Sequence, residues 1–270
     1  MRDAMDADPR SVQRTMADVP PTLRRYDEWA LFLDLDGTLL EICPTPDAVR
    51  APRALSRLIA SLVDAFGGAV AVLSGRTLED VDRLLAPHVL PAAVVHGTRF
   101  RDSNGTVREL AGADREFLEG ARRELMAFVA ACPGALLEDK EIALALHTRL
   151  APDARANAQA AVARLAAASG GRYTVQGGKA VDELVPVGVD KGASLLRFLD
   201  SPPFSGRRPL VLGDDRTDQH AFRAARQRNG IAIAVGQPLA DASMVLRNPA
   251  DCRRWLTRLA DGAAKKEREH

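Results

Sequence analysis

Five short apolar runs constrain the fold of this chain more than any other feature of its sequence. They span residues 29–35, 69–73, 92–95, 209–212 and 231–235. Runs of this length without polar alternation are typical of strands buried on both faces of a parallel sheet. Amphipathic helical patterns lie between most of them, at residues 54–66, 78–85, 192–199 and 217–227. The alternation predicts an α/β fold built on a doubly wound parallel sheet.

A long segment between the third and fourth runs follows a different pattern. Asn104-Gly105 and Gly177-Gly178 are hairpin signals, each flanked by short strand patterns. Helical patterns at residues 114–131 and 152–168 alternate with strand patterns at 135–138 and 142–148. We therefore predict an α+β cap of residues 98–187, inserted into a catalytic core of residues 26–97 and 188–262. Residues 1–25 and 263–270 are predicted to be a flexible leader and a flexible tail.

Composition and charge exclude several classes of function. The chain has 270 residues, 46% of them hydrophobic, so its core needs no disulfide or metal for stability. A net charge of +1 gives no reason to expect nucleic acid or an anionic membrane as a partner. No apolar stretch approaches the ~18 residues that span a bilayer. Cys43, Cys132 and Cys252 fit neither a disulfide framework nor a metal site, which favours a cytoplasmic protein with reduced thiols. We expect a monomer.

The apolar runs end in polar or glycine-containing residues, at the sheet edge where α/β proteins bind their ligands. The first run ends in Asp34-Leu35-Asp36-Gly37-Thr38. Two carboxylates at this spacing can converge with different roles. One attacks phosphorus, and the other gives a proton to the leaving oxygen and later takes one from water. Gly37 permits the sharp turn that this requires. An acidic turn that only caps a helix is the less favoured interpretation.

Three further motifs place chemistry near this edge. Ser74-Gly75-Arg76-Thr77 puts a hydroxyl beside a helix start, where it can bind a phosphoryl oxygen. Lys191, in Asp190-Lys191-Gly192, can neutralise charge on a nucleophile and its phosphoryl group. The segment 213–218 concentrates three carboxylates, which repel one another unless a cation or hydrogen bonds offset them. With Asp34 and a backbone carbonyl, they form an oxygen-rich site suited to Mg²⁺.

Signatures of other chemistries are absent from the sequence. It has no GxxxxGK[ST] phosphate loop, no GxGxxG after a strand, no GxSxG elbow and no HExxH motif. With the four motifs above in this order, the sequence resembles the haloacid dehalogenase superfamily of aspartyl-phosphate phosphatases.

Further segments narrow the resemblance. These segments are similar to motifs of the trehalose-6-phosphate phosphatase family: Val95-His96-Gly97 followed by Arg101-Asp102, Glu138-x-Lys140 followed by His147-x-Arg149, and Gly178-Lys179 followed by Glu183-x-x-Pro186 and Lys191-Gly192. The resemblance extends from about Leu31 to Leu256. It implies an enzyme that hydrolyses trehalose 6-phosphate with Mg²⁺, as the final step of trehalose biosynthesis.

The resemblance also implies a role for each motif residue. Asp34 would be the nucleophile and Asp36 the acid and base, while Ser74 and Lys191 would hold the phosphoryl group. Mg²⁺ would lie between Asp34, the Asp36 carbonyl and Asp214, with Asp218 in support. The substrate would contact the remaining motif residues, which are Gly37, Thr38, Gly75, Arg76, His96, Gly97, Arg101, Glu138, Lys140, His147, Arg149, Lys179, Glu183 and Asp215.

Two positions depart from the family pattern, and two other functions stay open. Gln219 stands where the family usually has an acid, and Thr148 where an aromatic residue often lies. The first open function is a phosphatase for another sugar phosphate, such as sucrose 6-phosphate or mannosyl-3-phosphoglycerate. The second is a catalytically inactive binding module, which the retention of Asp34, Asp36 and Asp214 disfavours.

Overall fold

In the computed structural model, twelve strands and seven α-helices lie within the described residues, which are 23, 25–110 and 114–267. The side chains of His96 and of residues 264–267 are outside this description. The strands are β1 (Trp29–Leu33), β2 (Val70–Leu73), β3 (Ala92–Val94), β4 (Arg99–Arg101), β5 (Val107–Glu109), β6 (Leu136–Asp139), β7 (Leu144–His147), β8 (Tyr173–Gly178), β9 (Val181–Pro186), β10 (Arg208–Gly213), β11 (Ile231–Val235) and β12 (Met244–Leu246). The helices are α1 (Leu55–Ala65), α2 (Leu78–Leu85), α3 (Arg115–Ala131), α4 (Arg155–Ala168), α5 (Lys191–Leu199), α6 (Asp218–Gln227) and α7 (Pro249–Glu267).

Eight strands form the larger sheet, in the order β12-β11-β10-β1-β2-β3-β4-β5. The strands from β12 to β3 are parallel, whereas β4 and β5 pair antiparallel at one edge. Along β1, Trp29, Leu31 and Leu33 pack into the core under α1, α2 and α7. Ala30 and Phe32 pack into the core under α5 and α6. This burial on both faces confirms the doubly wound parallel sheet predicted from the apolar runs.

Parts of the fold differ from the sequence prediction. The β4–β5 hairpin, predicted to lie in the cap, belongs to the larger sheet because a tight turn at residues 95–97 returns the chain antiparallel to β3. The cap therefore begins after this hairpin rather than at residue 98. Helix α7 continues to Glu267, so residues 263–267 of the predicted flexible tail are helical. Strand β12 is only three residues long and gave no signal. Of the predicted leader, only Leu23 and Arg25 are among the described residues.

Four antiparallel strands form the smaller sheet of the cap, in the order β6-β7-β9-β8. Leu144, Leu146 and Leu184 pack on one face of it against Leu125 of α3 and Val162 of α4. Because successive side chains of a strand point to opposite faces, their neighbours project from the other face. That second face lies opposite the carboxyl ends of the larger sheet, so the cap covers the edge where the motifs of the core meet.

Asp182 is a carboxylate on the helix-covered face of the cap sheet. Its side chain is fully buried, and neither oxygen accepts a hydrogen bond from the described residues. Burial raises its pKa above the ordinary value, and the Arg155 guanidinium, 3.8 Å away, opposes the rise only in part. A carboxyl whose pKa is raised by folding stabilises the fold at low pH and loses that contribution as the pH rises.

We therefore expect the melting temperature of Asp182→Asn, relative to that of the wild type, to increase as the pH rises from about 4 to about 7. The reason is that the amide carries no charge to bury. Thermal unfolding followed by circular dichroism across this range measures the difference. Asp153→Asn removes an exposed carboxylate nearby and serves as the control, with a difference that stays constant. A pH-independent difference for Asp182→Asn would contradict the prediction.

Candidate active site

One cleft, of about 940 Å³ with its open mouth, lies between the larger sheet and the cap. Its core wall comes from the residues that follow β1, β2 and β10 and from the start of α5. Its cap wall comes from β6, β7 and the hairpin of β8 and β9. The core motifs meet here because the carboxyl ends of parallel strands lie at one edge of the sheet.

Lys191 joins two buried carboxylates at the base of this cleft. Its Nζ donates to Asp34 Oδ1 and to Asp218 Oδ1, each at 2.7 Å, and the three side chains are at most 7% exposed. Thr38 Oγ1 donates to the other Asp34 oxygen at 3.0 Å. Burial raises the pKa of Asp34 well above its ordinary value, although Lys191 opposes the rise. Burial lowers the pKa of Lys191, but Asp218 and Asp34 outweigh it and raise the pKa overall. Lys191 is therefore a fixed positive charge between two acids.

Asp214 is the third buried carboxylate, and it connects the core to the cap. Lys179 Nζ, from the cap, donates to Asp214 Oδ2 at 2.5 Å. Burial raises the pKa of Asp214 to about 6, with Lys179 opposing the rise. Gly37 lies against this carboxylate with a φ of +81°, and a Cβ there would be 2.0 Å from Asp214 Oδ2. Only glycine allows the loop after β1 to approach so closely.

The carboxylates of Asp34, Asp214 and Asp218 could hold a metal ion. Each offers one oxygen, and these oxygens lie within 4.8 Å of one another. Besides burial, the neighbouring carboxylates raise the pKa values of Asp34 and Asp214, a repulsion that a cation relieves. An all-oxygen donor set is the kind that Mg²⁺ and other hard divalent cations prefer. The three residues thus fit a divalent metal.

Arg76 holds Asp36 at the wall of the cleft. Its Nε and Nη2 donate to the two Asp36 oxygens at 2.6 and 2.7 Å. The guanidinium also donates weakly to the carbonyl of Pro46, at 3.4 and 3.5 Å. The Arg76 amide donates to Ser74 Oγ at 3.2 Å, which turns this hydroxyl toward the cleft that both residues line. Arg76, predicted to bind substrate, thus has Asp36 as its main partner.

The cap presents charged groups that are already paired. Lys140 Nζ donates to Glu183 Oε2 at 3.0 Å and lies 3.8 Å from Glu138 Oε2. His147 Nε2 lies 2.8 Å from the same Glu138 oxygen. Burial lowers the pKa of Lys140, but Glu183 and Glu138 outweigh this effect and raise it overall. The four side chains line the cleft opposite Asp34 and Asp36, as predicted from the cap motifs.

Most of the other predicted contacts also reach the cleft. Gly75, Arg149, Lys179 and Asp215 line it. Thr148, which departs from the family pattern, does not face the cleft. Its side chain is 1% exposed on the opposite face of the sheet, because it alternates with the two cleft-lining residues on either side.

Four predicted substrate contacts do not line the cleft: Gly37, Thr38, Gly97 and Arg101. Gly37 and Thr38 instead lie against Asp214 and Asp34 beneath it. Arg101 is buried, and its Nη1 and Nη2 donate to the two carboxylate oxygens of Asp82 at 2.8 and 2.6 Å. A Cβ at Gly97 would lie 2.4 Å from Ser194 Oγ on α5. We correct all four assignments: Arg101 and Gly97 pack the β4 hairpin onto the core, and Gly37 and Thr38 support the carboxylates at the base of the cleft. The side chain of His96 lies outside the described residues.

One wall of the cleft was not predicted from the sequence: the loop that follows β1. Ile42, Cys43, Thr45, Pro46 and Val49 contribute to it. The signal was available in the chain, because this loop directly follows the acidic motif, and its prolines restrict the backbone close to that motif.

Gln176 is a second missed residue. It pairs with Glu183 across β8 and β9 and so shares the cleft-facing side of the sheet. The cross-strand register was needed to find it.

A solved phosphatase of the haloacid dehalogenase superfamily shares this fold, with a TM-score of 0.59 at 15% identity. Fold and cleft together define a capped α/β protein with an acidic cleft at the edge of its larger sheet.

More specific similarities identify the family. The family model for trehalose-phosphatase matches residues 32–242. The chain is 40% identical over 213 residues to a probable trehalose-phosphate phosphatase of Sinorhizobium fredii, covering 79% of this chain and 80% of the relative. It is 35% identical over 239 residues to the trehalose-6-phosphate phosphatase of Escherichia coli, covering 88% and 89%. A solved trehalose-6-phosphate phosphatase related protein aligns with a TM-score of 0.74 at 26% identity, covering 88% of this chain and 99% of that one. The chain belongs to the trehalose-phosphatase family and is a hydrolase of phosphate monoesters.

Proposed function

We propose that this enzyme hydrolyses trehalose 6-phosphate to trehalose and phosphate through a phosphoaspartyl intermediate on Asp34. One observation carries the proposal: Lys191 bridges Asp34 and Asp218 at the base of a cleft whose opposite wall is a charged cap. The base supplies phosphoryl chemistry, and the cap supplies polar groups for a hydroxyl-rich substrate. The names of the two relatives above support the choice of substrate.

In the first step an Asp34 oxygen attacks phosphorus, and the bond from phosphorus to the sugar oxygen breaks. Lys191 lies 2.7 Å from Asp34 Oδ1, so its charge offsets the negative charge that collects around the phosphoryl group. Ser74 lines the same part of the cleft and is positioned to donate to a phosphoryl oxygen. Both groups are fixed before substrate arrives, so little reorganisation opposes the reaction.

Asp36 moves the protons in both steps. It gives a proton to the departing sugar oxygen, and it then takes one from the water that attacks phosphorus. This second attack breaks the bond between phosphorus and Asp34 and releases phosphate. The two hydrogen bonds from Arg76 fix the orientation of the Asp36 carboxyl during this exchange.

A bound metal ion would complete the charge balance of the site. We assign Mg²⁺ to Asp34, Asp214, Asp218 and the carbonyl of Asp36, on the strength of the clustered carboxylates. When bound, it offsets charge between the nucleophile and the phosphoryl oxygens.

The cap confers selectivity for the disaccharide. Glu138, Lys140, His147 and Glu183 can exchange their mutual contacts for hydrogen bonds to sugar hydroxyls. A substrate without those hydroxyls leaves desolvated polar groups unpaired, at about 1–3 kcal/mol each. Closure of the cap over the cleft would also exclude water that competes for the phosphoryl group.

The experiment is phosphate release from trehalose 6-phosphate, glucose 6-phosphate, sucrose 6-phosphate and mannosyl-3-phosphoglycerate, with Mg²⁺ and with EDTA. We expect kcat/KM for trehalose 6-phosphate to exceed the others by about 100-fold or more, because several cap groups discriminate together. EDTA should abolish release, and Mg²⁺ should restore it. Mg²⁺ should also raise the melting temperature of the wild type but not of Asp214→Asn, which tests binding independently of turnover.

Each other outcome points elsewhere. Similar rates across the panel would retain the phosphatase but reject selectivity by the cap. Preference for another sugar phosphate would transfer the function to that substrate. No release from any of them would favour the binding module. The monomeric state, the absence of a nucleic-acid partner and the cytoplasmic location stay predictions. No helix within residues 25–110 and 114–267 is both long and apolar enough to cross a membrane.

A further inference from the structure

The turn between β8 and β9 is hydrogen-bonded to a single segment of the cap, residues 148–155. All three carbonyl oxygens of residues 178–180 accept a hydrogen bond from that segment. The bonds run from Arg155 Nη2 to the Gly178 carbonyl (3.1 Å), from Arg149 Nη2 to the Lys179 carbonyl (2.7 Å) and from the Thr148 amide to the Ala180 carbonyl (2.9 Å). A turn with every carbonyl bonded to one neighbouring segment has little freedom to change shape.

This turn is the part of the cap that reaches the core carboxylates. It carries Lys179, whose Nζ lies 2.5 Å from Asp214 Oδ2. Its Gly178 lies close to Asp215, where an added Cβ would be 3.0 Å from the carboxylate. Ala180 has a φ of +62°, a conformation that a residue with a side chain adopts only when its surroundings impose it. The contacts from residues 148–155 supply that constraint.

Arg155 differs from the other two donors because it connects both strands of the hairpin to a helix. It is the first residue of α4, whose Ala158, Val162 and Leu165 are buried in the core of the cap. Its guanidinium reaches the Gly178 carbonyl at the end of β8, and it lies 3.8 Å from the buried Asp182 carboxylate of β9. Asp182 has no hydrogen-bond partner among the described residues, so this charge is the contact that offsets its burial.

We propose that Arg155 is a positioning residue. It holds the β8–β9 turn in the conformation that lets Lys179 contact Asp214 across the cleft. Arg155 does not line the cleft and contacts no substrate, so its effect on the reaction passes through Lys179. Both contacts come from the same nitrogen, Nη2, so they depend on the length of the arginine side chain, which carries that atom to the Gly178 carbonyl beside Asp182. The proposal rests on the proposed function, whose reaction centre includes Asp214, the carboxylate that Lys179 contacts.

Four variants test it with trehalose 6-phosphate. Arg155→Met removes both contacts, and Arg155→Lys keeps a charge near Asp182 but is too short to place a nitrogen where Nη2 now lies. Lys179→Met removes the delivered group, alone and combined with Arg155→Lys. Arg164→Met is the matched control, because Arg164 lies on the same helix, exposed and paired only with Glu124 among its described contacts.

We expect Arg155→Lys to lower kcat about 10-fold, since a small displacement of a reacting group has effects of this size, while KM changes much less. In the Lys179→Met background, the same substitution should change kcat less than about twofold, because its effect requires Lys179. Arg164→Met should match the wild type. Hydrogen exchange of segments 144–150 and 176–183 should be faster in Arg155→Lys, a readout that needs no substrate.

An equal loss of kcat with and without Lys179 would show that Arg155 is only structural and would overturn the proposal. Wild-type kcat and unchanged exchange in Arg155→Lys would overturn it too. If the wild type released no phosphate from trehalose 6-phosphate, the proposed function would fail, whereas the exchange measurement would still decide whether Arg155 braces the turn. Should Arg155→Met fail to fold, Arg155→Lys carries the test alone.

Discussion

Asp34→Asn is expected to lower the rate of phosphate release by at least about 10⁴-fold, or about 5.5 kcal/mol at 1.36 kcal/mol per decade. The amide cannot attack phosphorus, and it offers the metal a neutral oxygen in place of a charged one. Yet the substitution also removes a carboxylate whose pKa burial has raised well above its ordinary value. We therefore expect the metal-free variant to melt no lower than the wild type. Phosphate release and thermal unfolding, measured on the same preparation, separate the two effects.

The matched control is Asp64→Asn, which removes an exposed carboxylate from α1. It should leave both activity and melting temperature unchanged. A loss of activity below about tenfold in Asp34→Asn would exclude attack by this carboxylate and return Asp36 or Asp214 to consideration as the nucleophile.

Lys140→Met is expected to impair recognition of the sugar by the cap while leaving the chemistry at the base of the cleft nearly intact. The substitution leaves Glu183 and Glu138 facing each other without the ammonium group that now lies between them. We expect kcat/KM for trehalose 6-phosphate to fall by about 100-fold, the result of two groups at about 1–3 kcal/mol each. Hydrolysis of p-nitrophenyl phosphate should change less than about threefold, because this small ester needs the base of the cleft but none of the hydroxyl contacts.

The double variant Lys140→Met with Glu183→Gln is the control for this experiment. It removes one of the two carboxylates that Lys140 contacts, so it should recover melting temperature without recovering selectivity. An equal loss on both substrates in Lys140→Met would show that the lysine supports the fold of the cap rather than recognition of the sugar.

The sequence predicted those parts of the fold in which one strong local pattern decides. The apolar run of β1 and the acids that follow it can be identified from their own sequence alone. The parallel sheet then explains why Asp34, Lys191 and Asp214 meet at one edge. The edge hairpin was misplaced because its pairing with β3 depends on the turn at residues 95–97, and the Asn-Gly signal fixes only the hairpin itself.

Contacts made through a neighbour were also beyond the sequence. Arg101 and Arg76 are both arginines that pair with an aspartate. Only the identity of that aspartate, Asp82 for Arg101 and Asp36 for Arg76, distinguishes the packing arginine from the one in the cleft. Arg155 left no signal at all, because its meaning comes from a carbonyl and a carboxylate that the hairpin brings to it. Patterns in sequence report which face a residue occupies, whereas the choice among partners on that face depends on tertiary geometry.

The edge hairpin also bears on how copies of this chain behave toward one another. Its outer strand, β5, spans three residues, all exposed, and two of them are the charged Arg108 and Glu109. A long apolar edge would offer unpaired amides and carbonyls to the sheet of a second molecule. A three-residue edge offers only a few backbone amides and carbonyls for pairing. Its charges of both signs would also have to lose water if a second strand paired with it. The sheet thus ends in a strand that discourages growth into an intermolecular sheet, which favours solubility when the chain is abundant.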